Sequence, residues 1–277
     1  MKVRCLLNAK QTSAISIGRP IQAVPFSSDK NVSAEKGASK KNFFDQASRD
    51  WDKAWQMNLT PWDLKGTVTP PLKQLFDESS SQITNGSFSG KHALVPGCGS
   101  GYECSYLASL GYQSVTGLDI SPTAIQFATE NIKNSDPQKK LPGNLKMEVA
   151  DFFKYEAPEG HKYDFIFDYL FFAALDAPLR SRWADSMTRL LAPQRGFLAT
   201  LIFPLAPPNI SAEERAKGPP YPVSIEDYHA ELTSDKWELV SINKVCRILF
   251  SCLTMKVLSD RFLRTTGRKV NQTAHGP

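Results

Sequence analysis

The chain has 277 residues, of which 41% are hydrophobic and 22% are charged, as in a globular protein with one sizeable core. No apolar run approaches the roughly 18 residues that span a bilayer, so we expect no membrane segment. The five cysteines form no C-x-x-C pair and the four histidines lie far apart, which argues against a disulfide framework and predicts no metal site.

The net charge of +5 is distributed unevenly along the chain. Residues 1–41 carry eight Lys or Arg and two acids, and residues 244–277 carry seven and one, so each end contributes +6 and the middle carries 5 − 12 = −7. An acidic body lacks the basic stripe of a nucleic-acid-binding protein. The basic, serine-bearing leader 1–41 fits either a mitochondrial or plastid transit peptide or a disordered extension of a cytoplasmic protein.

Strand and helix patterns alternate along the body, 42–243, which predicts an α/β fold with a mostly parallel sheet and helices on both faces. The first predicted strand begins at Ala93, and the next five are Ser114–Leu118, Leu145–Ala150, Phe165–Phe172, Phe197–Phe203 and Trp237–Asn243. A seventh strand would come from Arg247–Leu258. It falls in the basic segment 244–277, which we interpret as a last strand plus tail.

A turn with glycine at alternate positions, Gly97, Gly99 and Gly101, follows the first predicted strand, and the second strand leads to Asp119. Glycine lets the backbone approach a ligand, and a carboxylate about 20 residues on can accept from both hydroxyls of a ribose. The third glycine comes too early for a dinucleotide fingerprint, and the Lys-Ser/Thr of a P-loop is missing. The site suits a nucleoside without phosphates, the alternative being a turn that merely needs glycine.

A second carboxylate follows the third predicted strand, in Asp151-Phe152-Phe153. One acid can bind ribose and the other the adenine amino group, with an aromatic ring against the base. Taken singly, an acid at a strand end is as often only a cap. The ordered series of glycine turn and two acids therefore carries the prediction.

Several motifs together resemble the thiopurine methyltransferase superfamily, in particular its plant and fungal thiol and halide methyltransferase branch. The central ones are Leu94–Gly101, Gly117–Ser121, Asp151–Phe153 and Phe167–Phe172. Upstream, Trp51–Trp55 and Thr60–Asp63 match the family's tryptophan-rich segment, and downstream Gly218–Tyr221 matches its glycine-proline-proline loop. The resemblance covers Phe43 to Ile242.

The resemblance implies a Rossmann-like class I fold with a seven-stranded sheet and S-adenosylmethionine (SAM) as cofactor. Indole faces attract a sulfonium cation by about 0.5 to 2 kcal/mol, which gives the tryptophans a physical role. Trp51 and Trp55 would also share one helix face with Phe44 and Ala47, so core packing is the alternative. Carried over by position, the SAM contacts are Trp51, Trp55, Trp62, Gly97, Gly99, Asp119, Asp151, Phe152 and Tyr169.

Methyl transfer to a thiol or halide requires alignment more than a strong base, because a thiol with a pKa near 8.5 already supplies some thiolate. We expect Asp168, Tyr169 and Tyr221 to be the catalytic residues nearest the acceptor, with Phe171 and Phe172 in the pocket wall. Asp168 could instead cap a strand end, and Tyr221 could anchor a proline-rich lid.

The predicted function is SAM-dependent methyl transfer to a thiol, bisulfide, thiocyanate or halide, with small thiols and bisulfide ranked first. We expect a monomer with a small-molecule acceptor and no nucleic-acid or membrane partner. The alternatives are a non-catalytic SAM-binding protein, a methyltransferase for a larger acceptor and a nicotinamide-dependent oxidoreductase. The glycine spacing and Asp151 count against the last of these.

Overall fold

A computed structural model describes residues 43–64, 66–136, 138, 140–158, 160–245 and 250–257. The chain divides into two units, Met1–Lys40 and Lys41–Pro277, and every described residue belongs to the second unit. The predicted leader, 1–41, lies outside the described residues, so its role stays a prediction.

Seven strands form one sheet in the order β3-β2-β1-β4-β5-β7-β6. Strands β1 to β5 pair in parallel, whereas β7 runs antiparallel to both β5 and β6. The predicted α/β fold with a mostly parallel seven-stranded sheet is therefore confirmed. The strands are β1 (His92–Pro96), β2 (Ser114–Asp119), β3 (Leu145–Val149), β4 (Phe165–Tyr169), β5 (Phe197–Ile202), β6 (Trp237–Val245) and β7 (Phe250–Val257).

Helices cover both faces of this sheet, and a short 3₁₀ helix, Ala177–Leu179, leads into α7. A serine begins α5 as predicted: Ser121 Oγ accepts from the Ala124 amide at 3.0 Å, and Pro122 occupies the first turn, where no amide is needed. The helices are α1 (Phe43–Gln46), α2 (Trp51–Gln56), α3 (Pro70–Thr84), α4 (Tyr102–Ser109), α5 (Pro122–Ser135), α6 (Phe171–Ala174), α7 (Arg180–Leu190), α8 (Ala212–Arg215) and α9 (Ile225–Glu231).

Two buried cores lie on opposite faces of the sheet because successive strand residues point to opposite sides. On β1, Ala93 and Val95 belong to the core that contains Leu72 of α3, whereas Leu94 belongs to the core that contains Trp183 of α7. Strands buried on both faces read as continuous apolar runs. This explains why the sequence indicated strands here without an alternating pattern.

The fourth strand is shorter than predicted. We expected Phe165–Phe172, but β4 ends at Tyr169, since Leu170 adopts a left-handed backbone with φ of 63° and α6 starts at Phe171. A left-handed residue cannot continue a strand. The apolar run therefore changes from strand to helix at the edge of the sheet where ligands bind in such folds.

The carboxyl-terminal strands extend past the predicted domain boundary at residue 243, which falls inside β6. Strand β7 follows β6 in the chain but lies between β5 and β6. Residues 246–249 and 258–277 lie outside the described residues. Among the described residues, no helix is long and apolar enough to cross a membrane.

Candidate active site

A cavity of about 460 Å³ opens at the carboxyl ends of β1 to β4. The residues that directly follow these strands form much of its wall, and α2, Trp62 and Pro220 complete it. The structure brings together around this one cavity every predicted SAM contact: Trp51, Trp55, Trp62, Gly97, Gly99, Asp119, Asp151, Phe152 and Tyr169.

The glycine turn lets aromatic rings approach the backbone closely. Gly97 has φ of +59°, and a Cβ atom there would lie 2.7 Å from Cδ2 of Phe171. Gly99 has φ of +49°, and a Cβ atom there would lie 3.2 Å from the Trp55 ring. Both positions have a left-handed backbone that favours glycine, and at Gly97 the Phe171 ring would also have to move to admit a side chain.

Asp119 is buried at the end of β2 and links two turns. Its Oδ2 accepts from the Gly99 amide at 3.0 Å, and its Oδ1 accepts from the Ser121 amide at 2.9 Å. Burial raises the pKa of the Asp119 carboxyl, against the lowering effect of these bonds. A carboxylate has about four lone-pair sites, so acceptor capacity remains for a hydroxyl donor in the cavity.

Asp151 and two phenylalanines form the wall after β3. Asp151 Oδ1 accepts from the Phe153 amide at 3.0 Å, and Lys154 Nζ lies 3.4 Å from Asp151 Oδ2. The buried Phe152 ring packs edge-on against Phe171, with centroids 5.1 Å apart. The side of the cavity next to Asp151 is therefore aromatic, as expected for a site that stacks on a base.

The tryptophans form an aromatic cluster. Trp62 contacts Trp51 and Trp55 edge-on, with ring centroids 5.5 and 6.1 Å apart. Trp51 and Trp55 lie on α2, but α1 ends at Gln46, and left-handed residues at 48 and 49 separate the two helices. The predicted single helix face shared with Phe44 is thus interrupted, although the Phe44 ring still packs 4.4 Å from Trp51.

Two carboxylates that the sequence analysis did not select hold this tryptophan-bearing segment in place. Asp52 accepts from Ser121 Oγ at 2.6 Å and from the Thr123 amide at 2.9 Å, so α2 is bonded to the start of α5. Asp63 accepts from Ser100 Oγ at 2.7 Å, in the glycine turn. Both acids stand beside a tryptophan in the motifs Trp51–Trp55 and Thr60–Asp63. This position could have indicated that they belong to the site.

Asp168 lies outside the cavity wall, which corrects the expectation that it approaches the acceptor. Its carboxylate is fully buried and accepts from the Phe171 and Phe172 amides and from Trp183 Nε1, the last at 2.8 Å. Burial raises the pKa of Asp168 to about 7, even though these donors act to lower it. These contacts match the alternative role, in which Asp168 fixes the chain at the strand end.

The two phenylalanines expected in the pocket wall separate in the structure. Phe171 lines the cavity, whereas Phe172 is buried against Tyr228, with ring centroids 4.1 Å apart. The prediction for Phe172 was wrong because α6 begins at Phe171 and turns the next ring into the core. Tyr169 does line the cavity and donates from its hydroxyl to the Trp62 carbonyl at 3.1 Å.

Tyr221 stands beside the cavity rather than in its wall, where its neighbour Pro220 lies. Its hydroxyl donates to Asp176 and accepts from Arg49 at 3.0 Å. Burial and the bond to Asp176 raise the pKa of Tyr221. The residue joins the segment before α2 to the proline-rich loop, which fits the role of a lid anchor.

Other wall residues were not selected as site residues from the sequence. Ile120 follows Asp119, and Leu175, Leu179 and Arg182 come from the segment between α6 and the first turn of α7. The Arg182 guanidinium lies over the Phe153 ring, 4.7 Å from its centroid. Only the placement of α7 at the cavity edge, a tertiary feature, brings this cation to the site.

The chain was compared with protein families and with proteins of known name. The family model for thiopurine S-methyltransferase matches residues 46–251. The chain belongs to the thiopurine S-methyltransferase family. Within it, a probable thiol methyltransferase 2 from Arabidopsis thaliana is 39% identical over 198 residues, 72% of this chain and 77% of that protein. Thiocyanate methyltransferase 1 from Brassica oleracea is 37% identical, covering 70% of this chain and 76% of that protein.

Solved structures agree on the fold of this thiopurine S-methyltransferase family member. Magnesium protoporphyrin IX methyltransferase from Synechocystis PCC 6803, with bound SAM, matches with a TM-score of 0.54 and 17% identity, over 81% of this chain and all of that one. A (4+2)-cyclase matches with a TM-score of 0.54 and 15% identity, over 71% of this chain and 86% of that one. At these identities the likeness establishes the fold, not the reaction.

The family member is a SAM-dependent methyltransferase. Its cavity fits that cofactor on structural grounds. The buried Asp119 keeps acceptor sites for hydroxyl groups, and glycine at position 97 leaves backbone surface exposed to the cavity. The tryptophan cluster offers aromatic faces to a cation. The roles of the individual residues stay predictions.

Proposed function

We propose that this methyltransferase acts on small soft nucleophiles, with organic thiols and bisulfide first, then thiocyanate and halides. The observation that carries the proposal is the chemistry of the cavity wall. No histidine or cysteine stands among the described residues that line it, and the wall around Phe171 is aromatic and aliphatic. An acceptor that is already an anion, or ionises readily, suits such a wall.

The groups that could take a proton in the cavity are poorly suited to activate an alcohol or an amine. Asp119 is already bonded to two amides, and Asp151 is paired with Lys154. Burial raises the pKa of Tyr169, which keeps its hydroxyl protonated near neutral pH. A thiol with a pKa near 8.5 supplies a few per cent of thiolate without help from the protein.

Bound SAM supplies a methyl group made electrophilic by the positive sulfur that carries it. The residues of the chain bind, orient and exclude water. We assign Asp119 to the ribose hydroxyls, Asp151 and Phe152 to the base, and the tryptophan cluster to the cationic end. Orientation alone can contribute several kcal/mol to such a displacement.

The three predicted catalytic residues receive different roles. Tyr169 is the only one that lines the cavity, so we place it in contact with the acceptor. Asp168 is a positioning residue, because it binds the first amides of α6 and so orients Phe171. Tyr221 anchors the loop that carries Pro220 over the cavity. The relatives described above, a probable thiol methyltransferase and a thiocyanate methyltransferase, support the acceptor class.

The proposal is tested by headspace gas chromatography with mass detection on purified protein incubated with SAM. Bisulfide, thiocyanate, iodide and thiophenol are supplied separately, with Asp119→Ala protein as the matched control. We expect methylated products from the wild type above both the control and the enzyme-free blank. If SAM binds by calorimetry but no acceptor is methylated, the small-nucleophile assignment is rejected in favour of a larger acceptor or a binding role.

A further inference from the structure

The far side of the cavity, beyond Phe171, is an apolar wall with a cation at its edge. Ala174, Leu175 and Leu179 form the apolar part, and Arg182 reaches the edge from the first turn of α7. The acids of the cavity come from other elements than this wall: Asp119 is the last residue of β2, and Asp151 follows β3. The cavity therefore has carboxylates toward the strand ends and an arginine toward α7.

Arg182 has no carboxylate partner among the described residues. The guanidinium lies over the Phe153 ring at 4.7 Å, and this ring contact holds its plane while the N–H groups at its rim stay available. Four other described arginines lie within 3.2 Å of an acid: Arg49 beside Asp45, Arg189 beside Glu156, Arg195 beside Asp164 and Arg215 beside Asp227. Arg180 lies over the Phe172 ring instead and does not line the cavity. Arg182 is thus a cation at the cavity that forms no ion pair with an acid of the described chain.

Lys154 also lines the cavity, but its charge is compensated. Its ammonium group lies 3.4 Å from Asp151 Oδ2, on the side of the base-binding wall. An anion entering the cavity would therefore meet a neutralised pair at Lys154 and an uncompensated charge at Arg182. Arginine also offers paired N–H groups that match a carboxylate, whereas lysine acts as a point charge.

We propose that Arg182 binds an anionic group of the acceptor, and that the acceptors include organic thiols with an apolar body and a carboxylate or similar anion. The inference rests on the proposed function and narrows it. Bisulfide and halides are too small to contact the reacting methyl group and Arg182 together, whereas a thiol with an apolar spacer can place its body against Leu175 and Leu179. Arg182 is then a specificity-determining residue.

The methyl transfer itself leaves this anion unchanged. The acceptor sulfur forms a bond to the methyl carbon, the bond from that carbon to the sulfonium sulfur breaks, and its electron pair stays on the donor sulfur. The thiol proton goes to water. Arg182 affects only how strongly the acceptor binds, so its effect belongs in KM and in product affinity.

The test uses two acceptors that differ in charge alone: 4-sulfanylphenylacetate and its uncharged amide. The methylene spacer keeps the two thiols similar in acidity. We expect wild-type protein to show a lower KM for the acid than for the amide, and Arg182→Met to reduce this preference by roughly three- to tenfold, as for an exposed charge-assisted contact. Arg182→Lys should retain part of it, and salt should weaken it.

Lys133→Gln is the matched control, because it removes one positive charge from an exposed position of α5 outside the cavity. It should leave the preference for the acid intact. Equal KM values for acid and amide in the wild type, or an equal shift for both in Arg182→Met, would overturn the inference while leaving the methyltransferase activity established.

Binding of the methylated products provides a readout that does not depend on turnover. Calorimetry should show tighter binding of 4-(methylsulfanyl)phenylacetate than of its amide by the wild type, and loss of that difference in Arg182→Met. If neither thiol is methylated but this difference is present, the proposed function fails and the anion site stands. If the difference is absent, the anion site fails whatever the turnover.

Discussion

The two sides of the cavity are built by different means. The side that we assign to the cofactor consists of the ends of β1 to β3 and the turns after them, where backbone amides and the buried Asp119 hold the chain. The side that we assign to the acceptor consists of short helices and loops joined by side-chain bonds, such as those of Tyr221 to Arg49 and Asp176. On the first side, the sheet itself fixes the positions of the wall residues. On the second side, a single substitution can change them.

This difference separates what the fold requires from what specificity requires. A change on the cofactor side disturbs backbone geometry, so we expect losses in both stability and SAM affinity. A change on the acceptor side removes one polar contact of a short segment, so we expect smaller effects, concentrated in turnover or acceptor preference.

Gly97→Ala should have the largest effect. The new methyl group would meet Phe171 at 2.7 Å on a residue with φ of +59°, so clash and backbone strain add. We expect a loss of about 2 to 4 kcal/mol in the free energy of unfolding, together with weaker SAM binding. Chemical denaturation and calorimetry measure the two.

Gly86→Ala is the matched control for Gly97→Ala. Gly86 has φ of +79° and no atom within 4 Å of the added methyl group, so only strain remains, about 1 kcal/mol. Its SAM affinity should equal that of the wild type. Equal stability losses in the two variants would show that the close approach of Phe171 does not matter.

Asp119→Ala should weaken SAM binding about 10- to 100-fold, the value of charge-assisted hydrogen bonds to hydroxyl groups, without unfolding the protein. Calorimetry measures the affinity, and thermal denaturation checks the fold. Asp119→Asn keeps one oxygen that can accept from a turn amide but has no negative charge. If the charge is decisive, this variant should bind SAM no better than Asp119→Ala does. Retained affinity in Asp119→Ala would place the ribose elsewhere.

Asp52→Ala should detach α2 from the start of α5, at a cost of about 1 kcal/mol in stability and a several-fold loss of SAM affinity. Asp50→Ala is the matched control, because Asp50 caps α2 through the Lys53 amide without reaching α5. It should cost similar stability but spare SAM binding. Equal SAM affinities in both variants would contradict the role of Asp52.

The contribution of Asp52 should also depend on pH. The hydrogen bond from Ser121 lowers the pKa of Asp52 below its ordinary value of 3.8. Asp52 therefore stabilises the folded protein fully at a pH above its pKa in the unfolded chain, near 4. This stabilisation is lost as the pH falls through the lower pKa that Asp52 has in the folded protein. The stability difference between wild type and Asp52→Ala should shrink in that acid range.

Tyr221→Phe should have the smallest effect. It removes the hydroxyl between Arg49 and Asp176, but the Tyr221 amide still donates to the Ala173 carbonyl at 2.7 Å. We expect unchanged SAM affinity and a change in turnover of about two- to fivefold, since a lid anchor acts on closure. An unchanged rate with every acceptor would remove Tyr221 from the catalytic machinery.

The sequence predicted well which residues share the cavity beside the glycine turn, because the pattern that indicates them is local. A strand, a glycine turn and an acid at the next strand end appear in order along the chain, and the structure places them around one cavity. The acceptor side was predicted less well. The run Phe165–Phe172 is nearly continuously apolar, interrupted by Asp168, and its pattern did not indicate that Leu170 turns left-handed and sends Phe172 into the core.

Polar residues of the acceptor side were missed for a related reason. Arg182 lies one position before Trp183 of the buried stripe of α7, and on sequence alone it is an ordinary exposed helix residue. Asp168 was expected near the acceptor, but its carboxylate is surrounded by indole and amide donors that come from α6 and α7. Only tertiary packing separates a buried positioning acid from one that meets a substrate.

The place of β7 between β5 and β6 has a consequence for protein synthesis. Among the strands that the structure describes, β6 pairs only with β7, so it lacks this partner until residues 250–257 have left the ribosome. A premature stop codon before residue 250 would remove only β7 from the chain. The sheet would then lack both β7 and β6, because β6 would have lost the strand with which it pairs. Such a truncated protein would expose β5 as an edge and become prone to aggregation.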